Sequence, residues 1–396
     1  MTRRLRLGMV GGGRGAFIGA VHRFAARLDG DYELVAGAFS ADPEKGRASA
    51  EDLGIAPGRA YASWEEMARA EAARPDGIEV VSIVTPNHLH FGPAKAFLEA
   101  GIHVICDKPL TSTLEDARAL ARILAARMVG GRPLVFGLTH AYAGYPLVRQ
   151  AREMVARGDL GPLRIAQVEY PQDWLTEPAE DSGNKQALWR MDPANAGEGG
   201  AVGDIGTHAY HLLRHVTGLK LEALSADLRS FGPGRRLDDD VQAMLRFRGG
   251  ARGMLWASQI APGHENGLRL RVYGAKGGLE WAQEAPNQLW FSPYGEPRRL
   301  LTRGGAGASP GAASLTRTPA GHPEGYLEAF ANLYQDYARA IRRVQAGGSP
   351  ETPESPGLAE GLEGMAFIDA CLRSSRADAA WTAPSLLEPP DSGVPS

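Results

Sequence analysis

Leu5-Arg6-Leu7-Gly8-Met9-Val10-Gly11-Gly12-Gly13-Arg14-Gly15-Ala16 is an apolar run that breaks directly into glycines. Leu5–Val10 has the length and character of a buried strand. Beyond the glycines, Phe17, Val21, Phe24 and Leu28 recur at the spacing of one helix face. The order of strand, glycine-rich turn and helix gives the passage its meaning, because the same glycines elsewhere would mark only a loose turn. Gly11 permits the tight turn, Gly13 lets an anionic group approach the backbone, and Ala16 takes the third small position, where helix and strand come close. Arg14, Gly15 and Phe17 complete the loop, and the helix start offers unpaired N–H groups and the positive end of its dipole. The passage reads as the pyrophosphate cradle of a dinucleotide.

Working outward, strands and helices alternate. Tyr32–Phe39 reads as a strand and Asp42–Leu53 as a helix. Glu79–Val84 is almost purely apolar, as in a strand covered on both faces. A helix over Pro93–Ala100 ends at Gly101, His103–Cys106 is a further buried strand, and Ser112 with Glu115 forms a capping box for a helix running to about Arg127. This alternation predicts an α/β unit over residues 1–130, a doubly wound parallel sheet of the Rossmann kind. Past that point Leu134–Leu138 still resembles a strand and Tyr145–Arg157 a helix closed by Gly158. Longer alternating strands follow at Leu163–Tyr170, Leu221–Phe231, Val241–Phe247, Ala251–Ile260, Leu268–Tyr273 and Gln288–Phe291, with Arg248-Gly249-Gly250 as a hairpin turn. A Gly/Ala/Ser-rich loop spans Arg303–Ser314, and helices are expected near Tyr326–Val344 and Leu358–Ser374. Residues 131–380 therefore read as an α+β substrate-binding and oligomerisation domain on a large, mainly antiparallel open sheet. The proline-containing tail, residues 381–396, reads as disordered.

Composition narrows the function. The 396 residues are 43% hydrophobic and 22% charged, with a net charge of -3, so nothing favours nucleic acid or an anionic membrane surface. Two cysteines, Cys106 and Cys371, exclude a disulfide framework and fit a reducing cytoplasm. The arginines near the start are followed by too short an apolar run for an export signal, and no stretch is long enough for a membrane span. An uncovered sheet of this size suggests a homodimer or homotetramer.

The end of the second strand bears on the choice between NAD and NADP. Where an acid for the ribose hydroxyls is expected, the chain reads Ala38-Phe39-Ser40-Ala41-Asp42-Pro43. Ser40, helped by Lys45 or Arg47, suits a 2′-phosphate; Asp42 suits the ribose of NAD or, equally, a helix N-cap before Pro43. The balance leans toward NADP. Thr85, Pro86, Asn87 and His90 end the buried third strand at the same crevice and are expected on the nicotinamide side, with Asp107 and Lys108. His88 and His90 have a metal-like spacing but lack the further ligands a zinc site needs, so no metal is expected.

With Asp107-Lys108-Pro109 and Gly199-Gly200-Ala201-Val202-Gly203-Asp204-Ile205-Gly206-Thr207-His208 added to the loop and the Thr85–His88 segment, the chain resembles the glucose–fructose oxidoreductase / inositol dehydrogenase (Gfo/Idh/MocA) family. Four motifs lie in order over the first 210 residues or so. Asp107 stands where that family has glutamate. The resemblance implies that Lys108 contacts substrate and cofactor, that His208 is the acid/base and that Asp204 positions the substrate. Physically, an ammonium stabilises charge on a substrate oxygen and an imidazole takes a hydroxyl proton near neutrality. Tyr142, Trp174, Trp189 and Arg190 are further substrate candidates, since aromatic faces and a guanidinium suit a polyhydroxylated ring. His140 and Tyr145 are weaker ones, while His211 and His215 read as packing or substrate contacts. The implied activity is NAD(P)-dependent hydride transfer at a secondary hydroxyl of a sugar, sugar derivative or cyclitol. The alternative is a dinucleotide sensor without catalysis, and a metal-dependent hydrolase ranks third.

Overall fold

The computed structural model describes residues 3–130, 133–177, 192–352 and 354–385. Five parallel strands, β1 (Leu5–Gly11), β2 (Tyr32–Ala38), β3 (Val80–Val84), β4 (His103–Cys106) and β5 (Phe136–Leu138), lie in the order β2-β1-β3-β4-β5. Lateral direction reverses between β1 and β3, where Val10 sits opposite Ile83 and Gly11 opposite Val84. Loops leaving the two strands part at this point and open a crevice at their carboxyl ends. One face of the sheet (Leu5, Leu7, Val80, Ile105) is sealed by α1 (Phe17–Leu28) and by α8 (Tyr326–Gln345), a helix some 300 residues downstream. The other face (Val10, Val81, Ile83, Val104) packs with Met67 of α3 (Trp64–Ala73), Phe97 of α4 (Phe91–Glu99) and Leu120 of α5 (Leu114–Gly130). Helix α2 (Pro43–Asp52) follows β2, capped by Asp42, whose side chain accepts from Glu44 N and Lys45 N.

Eight strands form the second sheet in the order β13-β12-β11-β10-β6-β9-β8-β7. They are β6 (Leu163–Pro171), β7 (Leu221–Arg229), β8 (Asp240–Phe247), β9 (Arg252–Ser258), β10 (Arg269–Gly274), β11 (Gly277–Ala282), β12 (Gln288–Pro293) and β13 (Arg299–Thr302). Only the β6–β9 pair is parallel. The expected hairpin forms between β8 and β9, with Gly249 and Gly250 at φ 85° and 95°. Helices α7 (Thr207–Thr217) and α9 (Leu358–Arg376) cover the inner face together with α6 (Pro146–Ala156). The outer face stays open, exposing Ile165, Met244, Met254, Tyr273 and Leu300.

Three expectations are revised. The parallel sheet does not end at residue 130: β5 at Phe136–Leu138 belongs to it, because Val104–Cys106 needs a neighbour on its far edge. The tail does not lose its structure at 381. Thr382 exchanges backbone hydrogen bonds with Leu224 at 2.9 and 2.7 Å, and the Trp381 ring lies 3.6 Å beneath the Arg246 guanidinium. Residues 386–396 lie outside the described residues. The Arg303–Ser314 loop contains a helical turn at Pro310–Ser314, capped by the Ser309 side chain. Both cysteines are buried free thiols. Among the described residues no helix is long and apolar enough to cross a membrane.

Candidate active site

The glycine loop is shaped by close approach. Gly11, Gly12 and Gly15 have φ of 80°, 71° and 78°, which side chains disfavour. A Cβ on Gly13 would meet the Phe39 carbonyl oxygen at 2.8 Å and Ser49 Oγ at 2.7 Å. The tight helix–strand crossing expected at Ala16 occurs one turn later: a Cβ on Gly19 would stand 2.4 Å from Gly12 Cα. Ala16 is instead the extended N-cap of α1 and supplies no side-chain cap, so the first-turn N–H groups face a groove lined by Gly12, Gly13, Gly15 and Phe17. A narrow bed of backbone at a helix N-terminus fits a pyrophosphate. Replacing Gly13 with valine should weaken NAD binding at least about ten-fold in a fluorescence titration, because backbone oxygen cannot move aside. Undiminished affinity would remove the loop from the binding site.

Ser40 and Lys45 line neither groove nor cleft. Ser40 Oγ accepts from Asp42 N at 3.2 Å, and Asp42 caps α2. Arg14 donates to both Asp52 carboxylate oxygens, at 2.5 and 2.6 Å, a pairing absent from the sequence reading.

The glycine loop opens onto a cleft of about 490 Å³ between the two sheets, lined by Ala16, Phe17, Thr85, Pro86, Asn87, Asp107, Lys108, Tyr142, Trp174, Asp204 and His208. Lys108 emerges from β4, and the Lys108–Pro109 peptide is cis. Its Nζ donates to Asp204 Oδ1 at 2.7 Å and to the Asp204 carbonyl at 2.8 Å. Gln259 Nε2 donates to the other carboxylate oxygen at 2.9 Å. Asp204 is delivered by a wide helical turn, Val202–Gly206, that runs straight into α7. That turn is anchored from below by Asp238, which accepts from Gly200 N at 2.6 Å and Val202 N at 2.7 Å. Gly200 is required there, since a Cβ would stand 2.0 Å from the Asp238 carbonyl oxygen. One turn on, His208 joins the cleft, its proton affinity held well below the ordinary histidine value by burial and by Lys108.

Asp107 lines the cleft, but its Oδ1 accepts from Lys108 N and Thr139 Oγ1, both at 2.9 Å, so the acid shapes the turn that aims Lys108. His90 is corrected: it is buried outside the cleft, with its ring bridging the carbonyls of Pro109 (2.7 Å) and Thr85 (2.9 Å). Trp174 Nε1 donates to Gln172 Oε1 at 3.1 Å. Trp189 and Arg190 lie outside the described residues. Among the described residues no group of three metal-ligating side chains occurs.

Several lining residues escaped the sequence reading. Tyr170 hydrogen-bonds the Tyr142 hydroxyl and donates to Asn266 Oδ1 at 2.7 Å. Burial pushes Tyr142 up to about 12, so it stays protonated near neutrality. Tyr326 and Phe330, one turn apart on α8, reach the cleft from the far end of the chain. The period-2 pattern of β6 places Tyr170 and Gln172 on one side, but only the fold reveals which side faces the cleft.

A parallel sheet with a glycine cradle at its switch point, joined to a lysine–aspartate–histidine cluster, defines a dinucleotide-binding oxidoreductase. The chain belongs to the GFO/IDH/MocA oxidoreductase family: residues 5–129 match its NAD-binding Rossmann fold and residues 148–280 its C-terminal domain. Uncharacterized oxidoreductase YfiI of Bacillus subtilis (strain 168) is 35% identical over 96% of this chain and 97% of its own. An oxidoreductase from Sinorhizobium meliloti, solved as a crystal structure, is 55% identical, with a TM-score of 0.85 over 96% of this chain and 99% of that one. An inositol dehydrogenase homolog from Azotobacter vinelandii complexed with NAD+ is 38% identical, with a TM-score of 0.91 over 97% and 98% of the two chains. The same homolog has been solved with NADH and myo-inositol, at 37% identity and a TM-score of 0.87 over the same shares.

Proposed function

We propose that this protein is an NAD-dependent dehydrogenase that oxidises a secondary hydroxyl of a cyclitol or sugar to the ketone, and runs the reverse reduction. The observation that carries this reading is the Lys108–Asp204 ion pair beside a half-buried, neutral His208, in a cleft continuous with the glycine cradle. Bound nicotinamide supplies the hydride acceptor. Lys108 donates a hydrogen bond to the substrate oxygen and stabilises the charge that develops there. His208 takes the hydroxyl proton. Asp204, held through both oxygens by Lys108 and Gln259, keeps the ammonium aimed. Tyr142, Tyr170 and Gln172 offer hydroxyl and amide partners to a polyhydroxylated ring, and Trp174 an apolar face. The myo-inositol complex of the 37% identical homolog supports a cyclitol first. A panel of cyclitols and sugars assayed by the absorbance of reduced nicotinamide tests the reading; tightly bound cofactor with no turnover on any of them would favour a sensor.

NAD is the favoured cofactor, reversing the lean of the sequence toward NADP. Arg14 and Asp52 both line the groove, and Arg14 is neutralised by Asp52, so its guanidinium is already engaged beside a carboxylate. A 2′-phosphate there meets like charge. Initial rates should give a kcat/KM at least about ten-fold higher with NAD than with NADP; equal values would overturn the preference.

The open face of the second sheet supports self-association. Met244 lies opposite Met254, which neighbours Gln167, with Ile165 and Tyr273 paired in the adjoining row. Light scattering should return a homodimer or homotetramer, and a monomer at micromolar concentration would refute this. Two free buried thiols suit a reducing cytoplasm.

A further inference from the structure

His208 does not stand alone behind the cleft. His140, which is 1% exposed, presents its Nδ1 at 3.4 Å from His208 Nδ1, with the two rings at 84°. The backbone holds His140 at both ends: its N–H donates to Leu138 O, and its carbonyl accepts from Ala143 N. On its far side the ring stacks on His211, with centroids 4.2 Å apart and planes 4° apart. The backbone bonds fix where the ring starts and the stack on His211 fixes its plane, with Nδ1 toward His208.

We propose that His140 is the positioning residue for His208: it accepts a hydrogen bond from His208 Nδ1–H, fixes the tautomer, and leaves Nε2 as the nitrogen that takes the substrate proton. This rests on the reading of His208 as the proton acceptor. Two Nδ1 atoms in contact can share only one hydrogen. If it sat on His140, His208 would turn its bare nitrogen away from the cleft and offer a substrate hydroxyl only an N–H. With the hydrogen on His208, Nε2 is bare and can act as a base. The other groups facing His208 are Lys108, Asp204 and His211, with Tyr142 and Tyr170 around the ring. Burial, with His211, His208 and Lys108 nearby, keeps His140 neutral and so able to accept. Once His208 has taken the proton, its Nδ1–H carries positive charge and the bond to His140 strengthens. The interaction therefore favours the state after proton transfer over the state before it, which is the requirement for raising turnover rather than affinity.

The test uses two substitutions. His140→Phe keeps an aromatic face for His211 but has no acceptor; His140→Asn gives up the stack but places Oδ1 near the former Nδ1. Nitrogen NMR of histidine-labelled, NAD-loaded protein reads the tautomer, with the His208→Asn variant assigning the His208 signals among the ten histidines. Wild type should show His208 protonated at Nδ1, His140→Phe should lose that preference, and His140→Asn should keep it. On a turned-over substrate, His140→Phe should lower kcat about 10- to 100-fold with little change in KM, and His140→Asn should recover most of it. His208 protonated at Nε2 in wild type, or a His140→Phe variant with an unchanged tautomer, would overturn the proposal whatever happens to the rate. Because the tautomer is read without turnover, failure of the dehydrogenase reading shows itself separately, as a wild type that oxidises nothing.

Discussion

Replacing His208 with asparagine is expected to lower kcat about 10²- to 10⁴-fold, the range over which positioned acid/base groups act, while the affinity for NAD stays within about two-fold. Asparagine retains hydrogen-bonding capacity at similar size but cannot take a proton. No residue of α7 lines the glycine groove, so binding should be spared. The pH dependence adds a sharper reading. As a base in the oxidising direction His208 must be neutral. Burial and Lys108 hold its proton affinity well below the ordinary 6.5, so kcat/KM for oxidation should be flat through neutrality and fall only as the pH drops through the lowered value. Reduction of the ketone needs the protonated imidazole and should weaken as pH rises through the same value. Both limbs should vanish in His208→Asn. A variant that keeps near wild-type turnover, or a limb that persists, would remove His208 from the chemistry.

Lys108→Ala should cost about 10²- to 10³-fold in kcat, comparable with losing one donor to a developing oxyanion. Arginine should not restore the rate, because its planar fork cannot deliver one point charge to both Asp204 and a substrate oxygen. The ion pair is largely screened from water, with 15% and 22% of the two side chains exposed, so removing the ammonium also leaves Asp204 less compensated and should destabilise the fold. The double variant Lys108→Ala/Asp204→Asn separates the two effects. Thermal unfolding should recover toward wild type once the carboxylate is gone, and turnover should stay low. Recovery of both together would mean that Lys108 serves stability alone.

The legible parts of this protein are the local ones. The Gly11–Ala16 loop, the Lys108 turn and the Asp204–His208 segment are each short stretches whose composition dictates conformation, and the structure places all three at one cleft. The hairpin signal at Arg248–Gly250 belongs to the same class, whereas the capping box expected at Ser112 and Glu115 is displaced by one residue: Thr113 Oγ1 accepts from Asp116 N at 3.2 Å. The sequence reading left Trp64–Ala73 unassigned, and it missed β11 and β13: glycines open the first, and the second is a four-residue edge strand. The two strands acquire their form from neighbours rather than from their own pattern, whereas Trp64–Ala73 carries a local signal that went unread, Ser63 accepting from Glu66 N at its start. Ser40 shows what only the fold supplies: its Oγ accepts from Asp42 N.

By itself the sequence determined the cofactor class, the parallel sheet that carries it, and the identity of the lysine, aspartate and histidine at the site. The first two rest on backbone geometry over a few residues, where glycine freedom, helix capping and strand burial act without help; the three side chains are singled out by the family resemblance of the motifs that carry them. Tertiary structure alone decided that Tyr326 and Phe330 return to the cleft on α8, that Gly19 rather than Ala16 makes the tight crossing, and that Arg14 is held by Asp52. It also placed His140 against His208, 68 positions apart in the chain. Such pairings are chosen by how two sheets and their covering helices meet, and no local spacing encodes that meeting.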